Sequence, residues 1–241
     1  MIIFLRKRTL AGAGILMGLF LTMFTWRVIQ QPVMTFSPWN ETDPIVVIDP
    51  GHGGEDGGAV SPAGAEESQI NLAIAIRLSE VLRFCGKETL MTRSEDLSIC
   101  DPGLATIRER KSSDLKNRVE LVNQKENAVL LSIHQNSLPS SPVTHGAQAF
   151  WNARSGAEAL AQGIQDTLNA WINTERPKEP KEIPSSIYLM KNVQSPGVLV
   201  ECGFLSNAAE AERLQEDPYQ KKLAAVIAAG YLQSQTGEKE S

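Results

Sequence analysis

The sequence predicts a single α/β domain, a central and largely parallel mixed sheet flanked by helices, preceded by an N-terminal membrane segment. Three observations carry this reading. The runs IVVI (45–48), AVLLSI (128–133) and VLV (198–200) are continuously apolar and too short for helices, as strands buried on both faces are. Between them lie longer stretches with apolar residues near helical spacing, so strands and helices alternate. Ahead of them, residues 9–26 form an uncharged run behind the basic cluster Arg6, Lys7 and Arg8.

That run holds 18 residues, reaching roughly 27 Å at a helical rise of about 1.5 Å per residue, near the thickness of a bilayer core. The basic cluster before it predicts a cytoplasmic N-terminus, with the rest of the chain exported. Residues 27–44 contain no A-x-A-like cleavage site, which favours an uncleaved signal anchor over a cleaved signal peptide. The expected organisation is anchor or signal peptide over 1–27, tether over 28–44, catalytic domain over 45–235 and tail over 236–241. Within the body, 45–48 is the first strand. Residues 70–84 set Leu72, Ile76, Leu78 and Leu82 near helical spacing and stop before Gly86. Strand is expected over 87–92, and Ser113 or Asp114 can cap a helix running from 115 to about 125. Strands follow at 128–133 and 146–151, then a helix at 158–172 and a Pro/Lys/Glu-rich loop at 174–184. Further strands are expected at 187–190 and 198–200, and helices at 208–214 and 219–233.

The chain of 241 residues carries a net charge of −5. Its first 27 residues hold four basic side chains and no acidic one, so the remainder is more acidic, with 19 basic against 28 acidic side chains. Such a body lacks the basic footprint of a nucleic-acid binder. Three cysteines (Cys85, Cys100, Cys202) build neither a disulfide framework nor a cysteine-based zinc site.

Ligands in open α/β sheets bind outside the carboxyl ends of the strands, and three buried strands here end on reactive residues. IVVIDPGHGG brings Asp49 and His52, AVLLSIHQN brings His134, and GVLVECGF brings Glu201 and Cys202. The glycine-rich turn does not fit a phosphate cradle: Asp56 stands where G-x-G-x-x-G needs glycine, no Gly-Lys-Ser/Thr follows, and Glu55 and Asp56 would repel phosphate. A serine hydrolase lacks its G-x-S-x-G elbow. A cysteine hydrolase would need Cys202 exposed, whereas it continues a buried strand. Metal hydrolysis fits better, since catalytic zinc takes three His or carboxylate ligands and keeps an open position. His52 and His134 supply two. The third is Glu66 or Glu67, at the start of the next helix, and spacing alone does not choose between them.

The stretch VVIDPGHGGEDGGAVSPAGAEESQINLAIAIRLSEVL, with LLSIHQNS and PGVLVECGFLSNAAEAERL, resembles the zinc-dependent N-acetylmuramoyl-L-alanine amidases of the amidase-3 family over about 45–235. The resemblance implies one zinc ion per chain, held by His52, Glu67 and His134. Glu67 is preferred to Glu66 because the family glutamate precedes the Asn of the N-L-A block, here Asn71, by four residues. The glutamate of V-E-x-G-F-x-S-N, the family's catalytic residue, falls on Glu201. The implied reaction is hydrolysis of the amide joining N-acetylmuramic acid to L-alanine in peptidoglycan. His145 matches no family ligand and is expected as an exposed turn residue. Asp49 and Asp56 are expected to shape the loop or bond a metal-bound imidazole. Arg93 and Arg118 are expected in surface ion pairs, with contact to stem-peptide carboxylates as the alternative.

Chain-wide likeness points further, to the germination-specific amidases of spore formers, which prepare muramic acid of the cortex for conversion to muramic δ-lactam. A vegetative amidase of cell separation or wall turnover is the alternative, and a non-catalytic wall-binding protein a remote one. The expected setting is extracytoplasmic, membrane-anchored or secreted, at the cell wall or spore cortex. The partners implied are peptidoglycan and, through an uncleaved anchor, the membrane, with no nucleic acid.

Overall fold

The computed structural model describes residues 43–237. The expected membrane segment, most of the tether and most of the tail lie outside them. Among the described residues no helix is long and apolar enough to cross a membrane. Six strands, β1 (Ile45–Pro50), β2 (Thr89–Met91), β3 (Ala128–Asn136), β4 (Gln148–Trp151), β5 (Lys181–Glu182) and β6 (Gly197–Phe204), form one sheet in the order β2-β1-β3-β6-β4-β5. β4 runs antiparallel to β6 and every other pairing is parallel. The sheet is therefore mixed and largely parallel.

Helices α1 (Glu67–Phe84), α2 (Ile107–Asn123), α3 (Ala157–Trp171), α4 (Tyr188–Asn192), α5 (Ala208–Leu214) and α6 (Asp217–Gly237) accompany it. Side chains alternate across the strands, and the two faces bury separate clusters. Val46, Ile48, Leu131, Ile133, Val198, Val200 and Cys202 pack with apolar residues of α1, α3 and α6. Val47, Leu130 and Leu199 pack on the other face with Val122 of α2 and with Leu189 and Met190 of α4. At the α3–α6 crossing, a Cβ on Gly230 would lie 2.5 Å from the Cα of Ile164, so glycine there sets how closely the helices approach.

Several elements depart from the sequence-based expectation. α2 begins at Ile107, well before 115, and its cap is Thr106. The Thr106 hydroxyl accepts from Glu109 N at 3.2 Å, and the Glu109 carboxylate accepts from Thr106 N at 2.9 Å, a reciprocal capping box. Ser113 and Asp114, the expected caps, lie inside this helix and tie down the preceding segment: Ser113 Oγ donates to Asp101 at 2.8 Å, and Asp114 accepts from Ile99 N at 2.8 Å. Residues 187–190 were expected as strand, but 188–192 is the short helix α4. Both edges of β6 are already paired, with β3 and β4, and a turn of helix directs Leu189 and Met190 onto the sheet. The 174–184 loop carries the two-residue strand β5. β3 and β6 extend beyond their apolar runs, so His134 and Glu201 lie within strands rather than after them.

Candidate active site

His52 occupies the turn after β1, in a left-handed conformation with φ +62° that is uncommon outside glycine. Its Nδ1 lies 2.9 Å from Asp56 Oδ2 and its Nε2 3.3 Å from Glu67 Oε2. Asp56 is held in turn by Lys111 Nζ at 2.9 Å. Glu67 opens α1, where the exposed ends of the helix amides favour a carboxylate. It is 3% exposed. Its Oε1 faces His134 Nδ1 at 2.9 Å and accepts from Gln135 N at 3.1 Å and Asn71 Nδ2 at 3.2 Å, while Oε2 accepts from Ala59 N at 2.9 Å. His52, Glu67 and His134 offer ligand atoms within 4.8 Å of one another. Glu66 lies outside this cluster, and its carboxylate accepts from Gln69 at 3.3 Å.

Space for the two rings depends on glycine. A Cβ on Gly51 would lie 2.2 Å from His134 Cε1, and one on Gly58 would lie 2.6 Å from Glu67 Oε2. The rings meet edge to face with centroids 5.1 Å apart. Burial disfavours an imidazolium at His52, but hydrogen bonds to Asp56 and Glu67 outweigh it and raise the group to about 9. Burial likewise raises the Glu67 carboxyl, yet its bonds to the two histidines hold it well below the usual carboxylate range.

Glu201 on β6 stands in register with His134 on β3 and with Gln148 on β4, and the β3–β6 register shifts just beyond this point. Its Oε2 is enclosed without a hydrogen-bond partner. Burial raises the carboxyl to about 7, with a further push from Glu67, against the pull of His134, His52 and Lys178. Lys178 donates to Gly146 O at 2.5 Å and lies 4.8 Å above the Phe204 ring. Cys202 alternates to the opposite face of the sheet, fully buried in the larger core, and desolvation drives its thiol far above the ordinary range. It stands apart from the histidines.

His145 is exposed, as expected, with Nδ1 3.0 Å from Val143 O. Asp49 is buried away from the imidazoles' hydrogen bonds, accepting from Thr92, Ser132 and Arg118, each at 2.7 Å. Arg93 and Arg118 correct the expectation of surface ion pairs: they are 5% and 2% exposed. Arg118 pairs with Asp49 and, at 2.6 Å, with Asp114, and donates to the carbonyls of Pro50 and His52 at 2.8 and 2.7 Å. Residue type predicts exposure for an isolated arginine, and only the fold supplies this ring of acceptors. Asn71, Gln135 and Lys178 also contribute contacts that sequence reasoning had not given a role. A groove of about 490 Å³ is lined by His52 and His134 together with Leu97, Ile107, Ile187 and Tyr188.

Comparison with known proteins gives concordant results. Residues 46–233 match the family model described as N-acetylmuramoyl-L-alanine amidase. The chain is 35% identical to the germination-specific N-acetylmuramoyl-L-alanine amidase of Bacillus subtilis, covering 94% of this chain and 95% of that one. Among solved structures it resembles the CwlD amidase of Clostridioides difficile in complex with the GerS lipoprotein, at TM-score 0.77 and 32% identity over 80% of this chain and 99% of that one. An N-acetylmuramoyl-L-alanine amidase from Clostridium difficile 630 follows at TM-score 0.69 and 28% identity, over 81% and 98%.

Proposed function

The chain belongs to the N-acetylmuramoyl-L-alanine amidase family and is an amidase of peptidoglycan, and on that premise we propose that it works with one zinc ion, held by His52, Glu67 and His134, with Glu201 as its base. The observation that carries this reading is one carboxylate facing both imidazoles, with a second carboxylate in register beside His134. Two imidazole nitrogens and a carboxylate are a zinc donor set. Asp56 on the remote nitrogen of His52 is the companion that metal-bound imidazoles keep, and the bare Cα of Gly51 leaves room for the His134 ring.

When bound, zinc supplies Lewis acidity, polarising the scissile carbonyl and lowering the pKa of the attacking water toward about 7. With the metal bound the His52 ring would be neutral, and Asp56, accepting from Nδ1, would fix the tautomer in which Nε2 is the nitrogen that can serve as ligand. Glu201 takes the proton from water on a carboxylate oxygen, and the same oxygen returns it to the departing alanine nitrogen. Its enclosed Oε2 has no competing hydrogen bond.

The two glutamates are separable by experiment. Glu67→Ala should weaken zinc binding strongly, with activity falling as a consequence. Glu201→Gln should keep about one zinc per chain while stem-peptide release drops on the order of 10²–10⁴-fold. Elemental analysis and peptide release on the same preparations decide it. Loss of zinc from Glu201→Gln, or its retention by Glu67→Ala with normal affinity, overturns the assignment.

The proposed setting is the spore cortex, where the cut precedes conversion of muramic acid to its δ-lactam. Its support is likeness to the germination-specific amidase along almost the full length of both chains. Residues 1–27 are proposed to carry the chain across the membrane, on the strength of the basic cluster and the uncharged run. Deleting the gene should remove muramic δ-lactam from the cortex, and a copy lacking 1–27 should fail to restore it. Unchanged cortex with unseparated cells moves the enzyme to vegetative wall turnover, and restoration by the shortened copy removes the export role.

A further inference from the structure

Arg93 follows β2 and is buried, and its four hydrogen bonds all go to uncharged backbone carbonyls. Nε donates to Pro50 O at 3.0 Å and Nη1 to Glu95 O at 3.0 Å, while Nη2 donates to both Gly51 O at 3.0 Å and Ser68 O at 2.9 Å. A buried cation whose bonds all go to neutral acceptors, with the carboxylates of Asp96, Asp49 and Asp114 acting on it without bonding it and Arg118 opposing them, is incompletely compensated for its desolvation, so stability alone accounts badly for it. The position of the acceptors accounts for it better. Gly51 immediately precedes His52, and Ser68 immediately follows Glu67. One guanidinium nitrogen therefore joins the turn that carries an imidazole to the helix end that carries the carboxylate.

The neighbouring contacts work in the same direction. Asn71 Nδ2 bonds both Gly51 O and Glu67 Oε1, each at 3.2 Å. Arg118 takes the carbonyls of Pro50 and His52. Three consecutive carbonyls, of residues 50, 51 and 52, are thus bound by arginine. They hold His52 in a backbone conformation that persists only where its surroundings over-determine it.

We infer that Arg93 is a positioning residue that fixes His52 against Glu67 and so sets how tightly the three-residue site holds its metal. This rests on the ligand set proposed above. The planar fork is the relevant property: an ammonium is a compact charge that does not reproduce the fork's geometry.

The test measures the zinc Kd of the full chain and of Arg93→Lys by competition with a chromogenic chelator, together with the melting temperatures of the metal-free forms. Arg93→Lys should fold, and its zinc Kd should weaken about 10–100-fold, the range for a lost supporting contact behind a metal ligand. Arg93→Gln, with an amide donor and no charge, gives the same readout if the lysine variant does not fold. A folded variant that melts lower yet keeps the parental Kd shows Arg93 to be merely structural and overturns the inference. A parent chain that binds no zinc overturns the ligand set itself, so the two failures are told apart.

Discussion

Glu201 and Cys202 are consecutive on β6, and strand alternation sends them to opposite faces of the sheet, one toward the histidines and one into the core. The carboxyl of Glu201, raised to about 7 by burial, ionises near neutral pH. Only its ionised form accepts a proton, so kcat/KM should climb as pH rises through this range. The half-buried ammonium of Lys178 favours the ionised form. Lys178→Met should therefore move the acid limb of the pH profile to higher pH. A limb that stays in place, or moves down, shows that Lys178 does not act on Glu201. At this scale the sequence was informative where chemistry is tied to a turn or a strand. His52, His134 and Glu201 stood out as polar residues terminating or interrupting apolar runs. Glu67 was separable from Glu66 only through family resemblance, and the structure adds that Glu67 alone lies beside both imidazoles. Arg93 and Arg118 were misread because most of their acceptors are distant in sequence: beside the local Glu95 carbonyl and Asp114 carboxylate, they come from β1, the turn after it and the start of α1.

At the scale of elements, buried strands and long helices were legible because a continuous apolar run or a helical repeat is written within a few residues. Boundaries are harder to read, because several local motifs compete for the same helix start. Thr106-x-x-Glu109 is a capping box in plain sequence, yet Ser113 and Asp114 have the same cap chemistry and directly precede the apolar repeat of Leu115, Val119 and Val122. The side chains of these two instead pin 99–101 against the helix, a tertiary use of the same hydrogen-bonding capacity. α4 was mistaken for a strand for a different reason. A short run such as 187–190 has no periodicity to read, and its form depends on whether a neighbouring strand has an open edge.

At the scale of the molecule, the parallel strands β1, β3 and β6 lie side by side, and they or the turn after β1 bring His52, His134 and Glu201 to one region of the sheet. That adjacency depends on pairing between distant segments, which composition and periodicity do not record. It also bears on how the chain acquires its structure. The proposed metal ligands come from the turn after β1, from α1 and from β3, whereas β6, bearing the proposed base, follows only after β4, α3, β5 and α4. Yet β6 is not an edge strand. It inserts between β3 and β4, so the interior edge of β3 stays unpaired until late in synthesis. Such long-range closure is slow. In refolding followed by pulsed hydrogen exchange, the Leu130 amide, which donates to Pro196 O at 2.9 Å, should gain protection in the same phase as the amides of β6. Protection of Leu130 while β6 still exchanges freely contradicts this order. A nascent chain would thus possess its proposed ligands before its proposed base, and an enzyme that cuts the wall would remain inert until residues 197–204 had entered the sheet.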